Sequence, residues 1–220
     1  MIGDLLPAAM GIALSPIPII AVVVVLGTPN ARKTGSLFAL GWILGLTAVS
    51  VVAVLVFDGA EDEDTTTSTA AALLKLAVGA LFLFLAWMQW RKRPRRGEES
   101  EMPTWMTSIE SVTASKALVL GAVLSGANPK NFALTLVAAA SVAETGLDET
   151  GTAIMLAVFV LLGSITVAGA VLLHLVAPER AAPQLARVRT FMVDNATVMT
   201  IVILALLGSS ILGDGISALT

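Results

Sequence analysis

The chain has 220 residues, 56% of them apolar, a formal net charge of −3 and no cysteine, and its mean hydropathy is +0.90. A soluble domain is about 45–50% apolar, so composition points to an integral membrane protein with little left over for a soluble domain. The lack of cysteine excludes disulfides, thiol catalysis and thiolate metal sites.

Six apolar runs reach or approach the roughly 20 residues needed to cross about 30 Å of hydrocarbon. Span 1 is Leu5–Leu26, span 2 Ser36–Phe57, span 3 Ala70–Trp90, span 4 Ala117–Ser141, span 5 Thr152–Val176 and span 6 Ala196–Leu212. Span 1 is preceded by Asp4 instead of a basic region and is followed by no small-x-small cleavage site. It is therefore expected to be retained and not to act as a signal peptide. Leu14-Ser15-Pro16-Ile17-Pro18 lies in its middle and Gly27-Thr28-Pro29-Asn30 closes it. Gly41 and Gly45 in span 2 form a small-xxx-small pair suited to close helix packing.

The acidic, then Ser/Thr-rich segment Gly59 to Thr69 reads as a solvated outer loop. Lys75 lies about one and a half turns inside span 3, within snorkelling reach of the surface. That span ends in Trp87, Trp90 and Arg91, an aromatic and basic interfacial anchor. In the connection Gly97 to Ser115, Trp105, Met106, Ile109 and Val112 recur at helical spacing, which predicts a short helix in the membrane interface.

Span 4 carries Leu124-Ser125-Gly126-Ala127-Asn128-Pro129-Lys130-Asn131 in its middle. A proline, two amides and an ammonium at that depth are expensive, and non-helical backbone survives there only inside protein or against a water-filled cavity. His174, the single histidine, falls near the end of span 5, where an interfacial position and a proton relay are the two readings.

Eleven of the thirteen Lys and Arg lie in the connections between spans 1 and 2, 3 and 4, and 5 and 6. The opposite connections and ends carry Asp4, the run Asp58 to Asp64, Glu144, Asp148, Glu149 and Asp214, with no basic residue. The positive-inside rule then puts the basic connections in the cytoplasm and both termini outside. Leu14-Ser15 and Leu124-Ser125 are 110 residues apart, Pro18 and Pro129 are 111 apart, and so are Thr34-Gly35 and Thr145-Gly146. The expected fold is all-α: one transmembrane domain over 1–220, with six helices as two inverted three-helix repeats, about 5–90 and 117–213. A cytoplasmic linker, about 91–116, joins them. Spans 1 and 4 should be broken near the midplane at Pro16/Pro18 and Pro129, leaving carbonyls near residues 12–14 and 125 without helical partners.

Ala13-Leu14-Ser15-Pro16-Ile17-Pro18-Ile19-Ile20, followed by Ala31-Arg32-Lys33 and Gly41-Trp42, resembles the peptidoglycolipid- and sulfolipid-addressing proteins of mycobacteria and relatives. These are placed in the lysine exporter superfamily, whose Asn-Pro-Lys motif is matched by Asn128-Pro129-Lys130. The resemblance implies a plasma-membrane protein that moves glycolipids or their precursors toward the cell envelope. Ser15-Pro16-Ile17-Pro18 stands where amino-acid exporters carry Pro-Gly-Pro, which argues against an amino-acid cargo.

The candidate substrate-binding residues are Ser15, Pro16, Pro18, Ser125, Asn128, Pro129, Lys130 and Asn131. Lys130 and His174 are the candidates for proton coupling. No Asp or Glu lies within the apolar runs, so carbonyls, water or an anionic substrate are left to face Lys130. Asn128 and Asn131 could cap the second half-helix or bind a head group, and Ser15 and Ser125 could bond to backbone or to substrate.

The leading expectation is a transporter of a lipid or glycolipid with an anionic head group, against an exporter of a small solute and a non-transporting scaffold of an envelope-lipid export complex. Expected partners are membrane lipids, the substrate, a homodimeric copy and envelope-lipid biosynthesis or export proteins, with no nucleic acid, cofactor or metal. The chain is not expected to be an enzyme, although a serine within about 3 Å of Lys130 in a water-accessible cleft would reopen a serine–lysine dyad.

Overall fold

The computed structural model describes residues 2–58, 66–93 and 112–219, all of them helix, turn or short connection, with no strand among them. The acidic run beyond Asp58 and nearly all of the expected interfacial helix lie outside the described residues.

Span 1 is two helices, α1 (Ile2–Ala13) and α2 (Pro16–Leu26), bent by 44° at Leu14-Ser15. Pro16 is the first residue of α2, where its missing N–H is no loss and its fixed φ suits a helix start. All of α2 except Ile17 is buried. This all-apolar segment is thus surrounded by other helices of the protein and only at Ile17 faces outward. Helix α3 (Ala31–Asp58) follows a short turn, and α4 (Thr66–Arg91) begins four residues before the expected start of span 3.

Span 4 is likewise divided. Helix α5 (Ala114–Ala122) runs into a π-helical turn, Val123–Ala127, and α6 (Pro129–Ala143) starts after Asn128. Both broken spans restart in the same way: a polar residue in extended conformation, Ser15 or Asn128, then a proline as the first helical residue. Ser15-Pro16 and Asn128-Pro129 thus occupy like positions at their breaks, whereas Ser125 lies inside the π turn and Pro18 is the third residue of α2. Thr34-Gly35 lies within α3, and Thr145-Gly146 forms a turn in which Gly146 has φ +60°.

Helix α7 (Glu149–Val176) is capped by Asp148, which accepts from the Gly151 N–H. Helix α8 (Pro178–Ser217) is 40 residues long. At about 1.5 Å per residue it extends about 60 Å, twice the hydrocarbon thickness. Arg180, Arg187 and Arg189, expected in a loop, are therefore on its first turns. Pro183, in its second turn, takes one backbone donor from the helix without ending it.

Among the described residues four helices are long and apolar enough to cross a membrane, five when the bent pair α1–α2 is taken as one span. The outward faces carry large apolar side chains such as Val52, Leu55, Leu161 and Leu206, which suits a lipid surround. The protein is a multi-pass membrane protein. Its most extensive packing is α4 along α8, then α3 along α5 and α1 along α7, with α3 also touching α6 and α7, and α1 touching α6.

Small residues set the closest of these approaches. A Cβ on Gly41 would lie 1.9 Å from the Leu118 carbonyl oxygen, and one on Gly121 would lie 2.1 Å from that of Phe38. The Gly41/Gly45 pair therefore does what its spacing suggests: it admits the backbone of α5 against α3. At the end of α4, the guanidinium of Arg91 stacks 4.9 Å from the centre of the Trp87 ring, and that of Arg93 lies 3.7 Å from Trp90.

A candidate substrate site at the paired helix breaks

A break in a membrane helix leaves carbonyls that must find donors elsewhere. Here side chains supply them. The Lys130 ammonium, at the start of α6, donates to the Gly11 carbonyl at 2.6 Å and to Ser15 Oγ at 2.5 Å. The Ala13 carbonyl accepts from the Thr166 hydroxyl at 2.6 Å. In the second break, the Leu124 carbonyl accepts from Asn131 Nδ2 at 3.1 Å. That donation fixes the amide orientation and leaves Asn131 Oδ1 as the acceptor 3.2 Å from the Ser15 hydroxyl. Ser15, 115 residues away from Lys130, is thereby the point where the two breaks meet.

The environment is dry on one side and open on the other. Asn131 is fully buried and Ser15 is 2% exposed. Lys130 is half-buried and faces a cavity of about 130 Å3, together with Ser15, Asn128 and the Pro16-Ile17-Pro18 turn. Ile17, in the wall of that cavity, is 48% exposed, so the cavity lies close to the lipid-facing surface. Asn128 caps α6 by accepting the Lys130 N–H at 3.1 Å, and capping is the role that the geometry gives it.

Of the expected site residues, Ser15, Pro16, Pro18, Asn128 and Lys130 line this cavity, while Asn131 stands behind it as a brace. Ser125 and Pro129 do not line it. The Ser125 hydroxyl donates to the Ala122 carbonyl at 3.1 Å, and a Cβ on Gly45 would lie 2.4 Å from it; Ser125 belongs to the α3–α5 contact. His174 lines a different, larger cavity of about 810 Å3 between the ends of α2 and α7 and the first half of α8. Lys130 and His174 thus face separate spaces. Thr166 was not picked out from the sequence, where a threonine in an apolar run carries no signal of a partner on a distant helix.

Lys75 is corrected. It does not snorkel: it is 8% exposed and holds the Glu144 carboxylate at 2.7 and 3.0 Å, tying α4 to the end of α6. Among the described residues no three His, Asp or Glu side chains gather as a metal site would require.

The contact between Ser15 and Lys130 meets the distance set for a serine–lysine dyad. The Gly11 carbonyl lies within reach of both side chains, and Asn131 Oδ1 is a further acceptor for the Ser15 hydroxyl.

A family model described as "Sap, sulfolipid-1-addressing protein" matches residues 5–217. The chain belongs to this sulfolipid-addressing family. The match spans both breaks and every described helix that touches them, so the Ser15–Lys130 cluster lies within the portion that this family shares. The family's description names addressing of a lipid, not a chemical reaction. No curated protein and no solved structure matches the chain.

Proposed function

We propose that this protein moves a lipid or glycolipid with an anionic head group across the plasma membrane toward the cell envelope. The observation that carries the reading is Lys130: a cation at the junction of two broken helices, held by a carbonyl and a hydroxyl and facing a cavity, with no carboxylate beside it among the described residues. An ammonium in hydrocarbon costs about 2.5–3.5 kcal/mol on insertion scales, and such residues mark substrate or ion pathways. A positive charge that no described carboxylate neutralises suits an anionic head group.

The proposed architecture has six spans in two inverted repeats, as in members of the lysine exporter superfamily, with α5 and α6 together forming the fourth span and both termini outside. Two features support it. The breaks restart with the same cap-then-proline pattern, and exchanging spans 1 with 4, 2 with 5 and 3 with 6 turns the α1–α7 contact into the α3–α5 contact while α4–α8 maps onto itself. That exchange is what an in-plane pseudo-two-fold axis requires.

A second reading, export of a small solute, is favoured by the size of the central cavity, since about 130 Å3 is below the range of about 300–1,000 Å3 usual for drug-sized ligands. Untargeted lipid analysis of envelope fractions separates the two. A deletion strain should lack an anionic envelope lipid, or accumulate it in the inner membrane, and regain the normal distribution on complementation. An unchanged lipid profile beside a raised intracellular pool of a small solute would replace the lipid reading with the second one.

A further inference from the structure

The large cavity that contains His174 has no part in the cluster at the breaks, yet its lining is selective. Its polar contributors are Thr28, His174, Arg189, Thr190 and Asp194, set against apolar side chains of α2 and α8. The Thr190 hydroxyl donates to the Ala186 carbonyl at 3.2 Å, while the Thr28 hydroxyl is shared between the Val25 carbonyl at 2.8 Å and the Thr34 hydroxyl at 3.0 Å. Toward the cavity Thr190 therefore offers mainly an acceptor, as does the Asp194 carboxylate. The end of α2 opens onto the same space and adds the partial negative charge of a helix C-terminus.

Several acceptors beside a single guanidinium make a poor trap for a bare sulfate or phosphate, because Arg189 shares the lining with the Asp194 carboxylate and the helix end. They suit a group that carries many hydroxyl donors and one negative charge. A volume of about 810 Å3 falls within the range of about 300–1,000 Å3 typical of ligand sites, large enough for a sugar or inositol head. The apolar walls suit the start of a lipid tail, and basic pockets between helices at the cytoplasmic face are recurrent lipid head-group sites.

We propose that this cavity is a second binding site, specific for a polyol head group with one negative charge, in which Arg189 contacts the anion and Asp194 the hydroxyls. The site rests on the lipid-transport reading for its place in a cycle: it lies at the end rich in arginine, where a lipid of the inner leaflet would be taken up before it reaches Lys130.

Titration calorimetry on the full-length protein in nanodiscs tests it, with four soluble probes: a disaccharide monosulfate, glycerophosphoinositol, the unsulfated disaccharide and inorganic sulfate. One or both polyol monoanions should bind, the tighter naming the source of the head group. The unsulfated sugar should be at least tenfold weaker and inorganic sulfate should give no measurable heat. Arg189→Gln should bring the monoanion down to the level of the neutral sugar, whereas Asp194→Asn should weaken both sugars by a similar factor. Arg187→Gln, an exposed neighbour outside the cavity, should change nothing. Should Arg189→Gln fail to stay monodisperse, Arg189→Lys, which keeps the charge, should retain discrimination between the charged and neutral sugars.

The site is overturned if no polyol monoanion binds, if inorganic sulfate binds as tightly as the sulfated sugar, or if Arg189→Gln still discriminates. Binding as described without lipid movement in vesicles would remove the transport reading and leave the site. Lipid movement with no binding at Arg189 would do the reverse.

Discussion

Ser15 joins the two breaks through one hydroxyl, which accepts from Lys130 and lies within reach of Gly11 and Asn131. Replacing it with alanine leaves the ammonium with the Gly11 carbonyl alone and takes a partner from the buried Asn131 amide. A hydrogen bond to a charged group is worth about 1.5–3 kcal/mol, so Ser15→Ala should lower the thermal midpoint in detergent and reduce transport severalfold. Ser125→Ala should spare transport, because that hydroxyl serves only the α3–α5 contact. Equal loss of transport in both variants would deny Ser15 its special position. The sequence made Lys130 and the prolines Pro16, Pro18 and Pro129 legible, because a charge or a helix breaker inside an apolar run has no ordinary explanation. It could not tell Ser15 from Ser125, because both follow a leucine near a proline and only the packing separates them. Asn128 and Asn131 were open for the same reason: capping and bracing depend on which side of the break each amide falls, which spacing does not fix.

Among the helices, the ends of α4 and α6 are tied by Lys75 and Glu144. Removing one partner from a buried pair is far more harmful than reversing both, because it leaves a charge without compensation, at about 3–5 kcal/mol for a fully buried pair and less here, where Glu144 is 29% exposed. Lys75→Met and Glu144→Gln should each lower the thermal midpoint, and the double variant Lys75→Glu with Glu144→Lys should recover most of the loss. A double variant as unstable as the sum of the singles would mean that the pair contributes through shape and not charge. Sequence reasoning missed this pair because Glu144 lies 69 residues away and beyond the end of its apolar run. The close approach of α3 to α5 was legible at Gly41 and Gly45, since the spacing is itself the mechanism. The full length of α8 was not: apolarity marks where a helix meets lipid and is silent about a polar helix continuing outside it.

For the molecule as a whole, the account places the Arg-rich ends of α2, α7 and α8 in the cytoplasm and the Lys75–Glu144 pair toward the outside. Single cysteines introduced at residues 60–66 of this cysteine-free chain should react with an impermeant thiol reagent in intact cells, and cysteines at 93 and 180 should react only after permeabilisation. Protection at 60–66 would invert the topology. The large cavity adjoins the Arg-rich end, while the pair ties helices together at the other, an arrangement suited to uptake from the inner leaflet. For coupling, no Asp or Glu lies within the apolar runs, so a sodium site built from acidic ligands is not expected, and Lys130, His174 and the substrate are the candidates proposed to carry a proton.

The central claim is that Lys130 is a fixed positive charge for an anionic lipid head, and translocation in proteoliposomes tests it most directly. Purified protein should move a fluorescent anionic glycolipid between leaflets well above the protein-free rate, with a neutral analogue moving at least tenfold more slowly. Lys130→Gln should abolish that preference while membrane insertion improves, because the desolvation cost disappears. Lys130→Arg should retain part of it, since the charge persists in a different geometry. Wild-type translocation of the anionic lipid by Lys130→Gln would contradict the account.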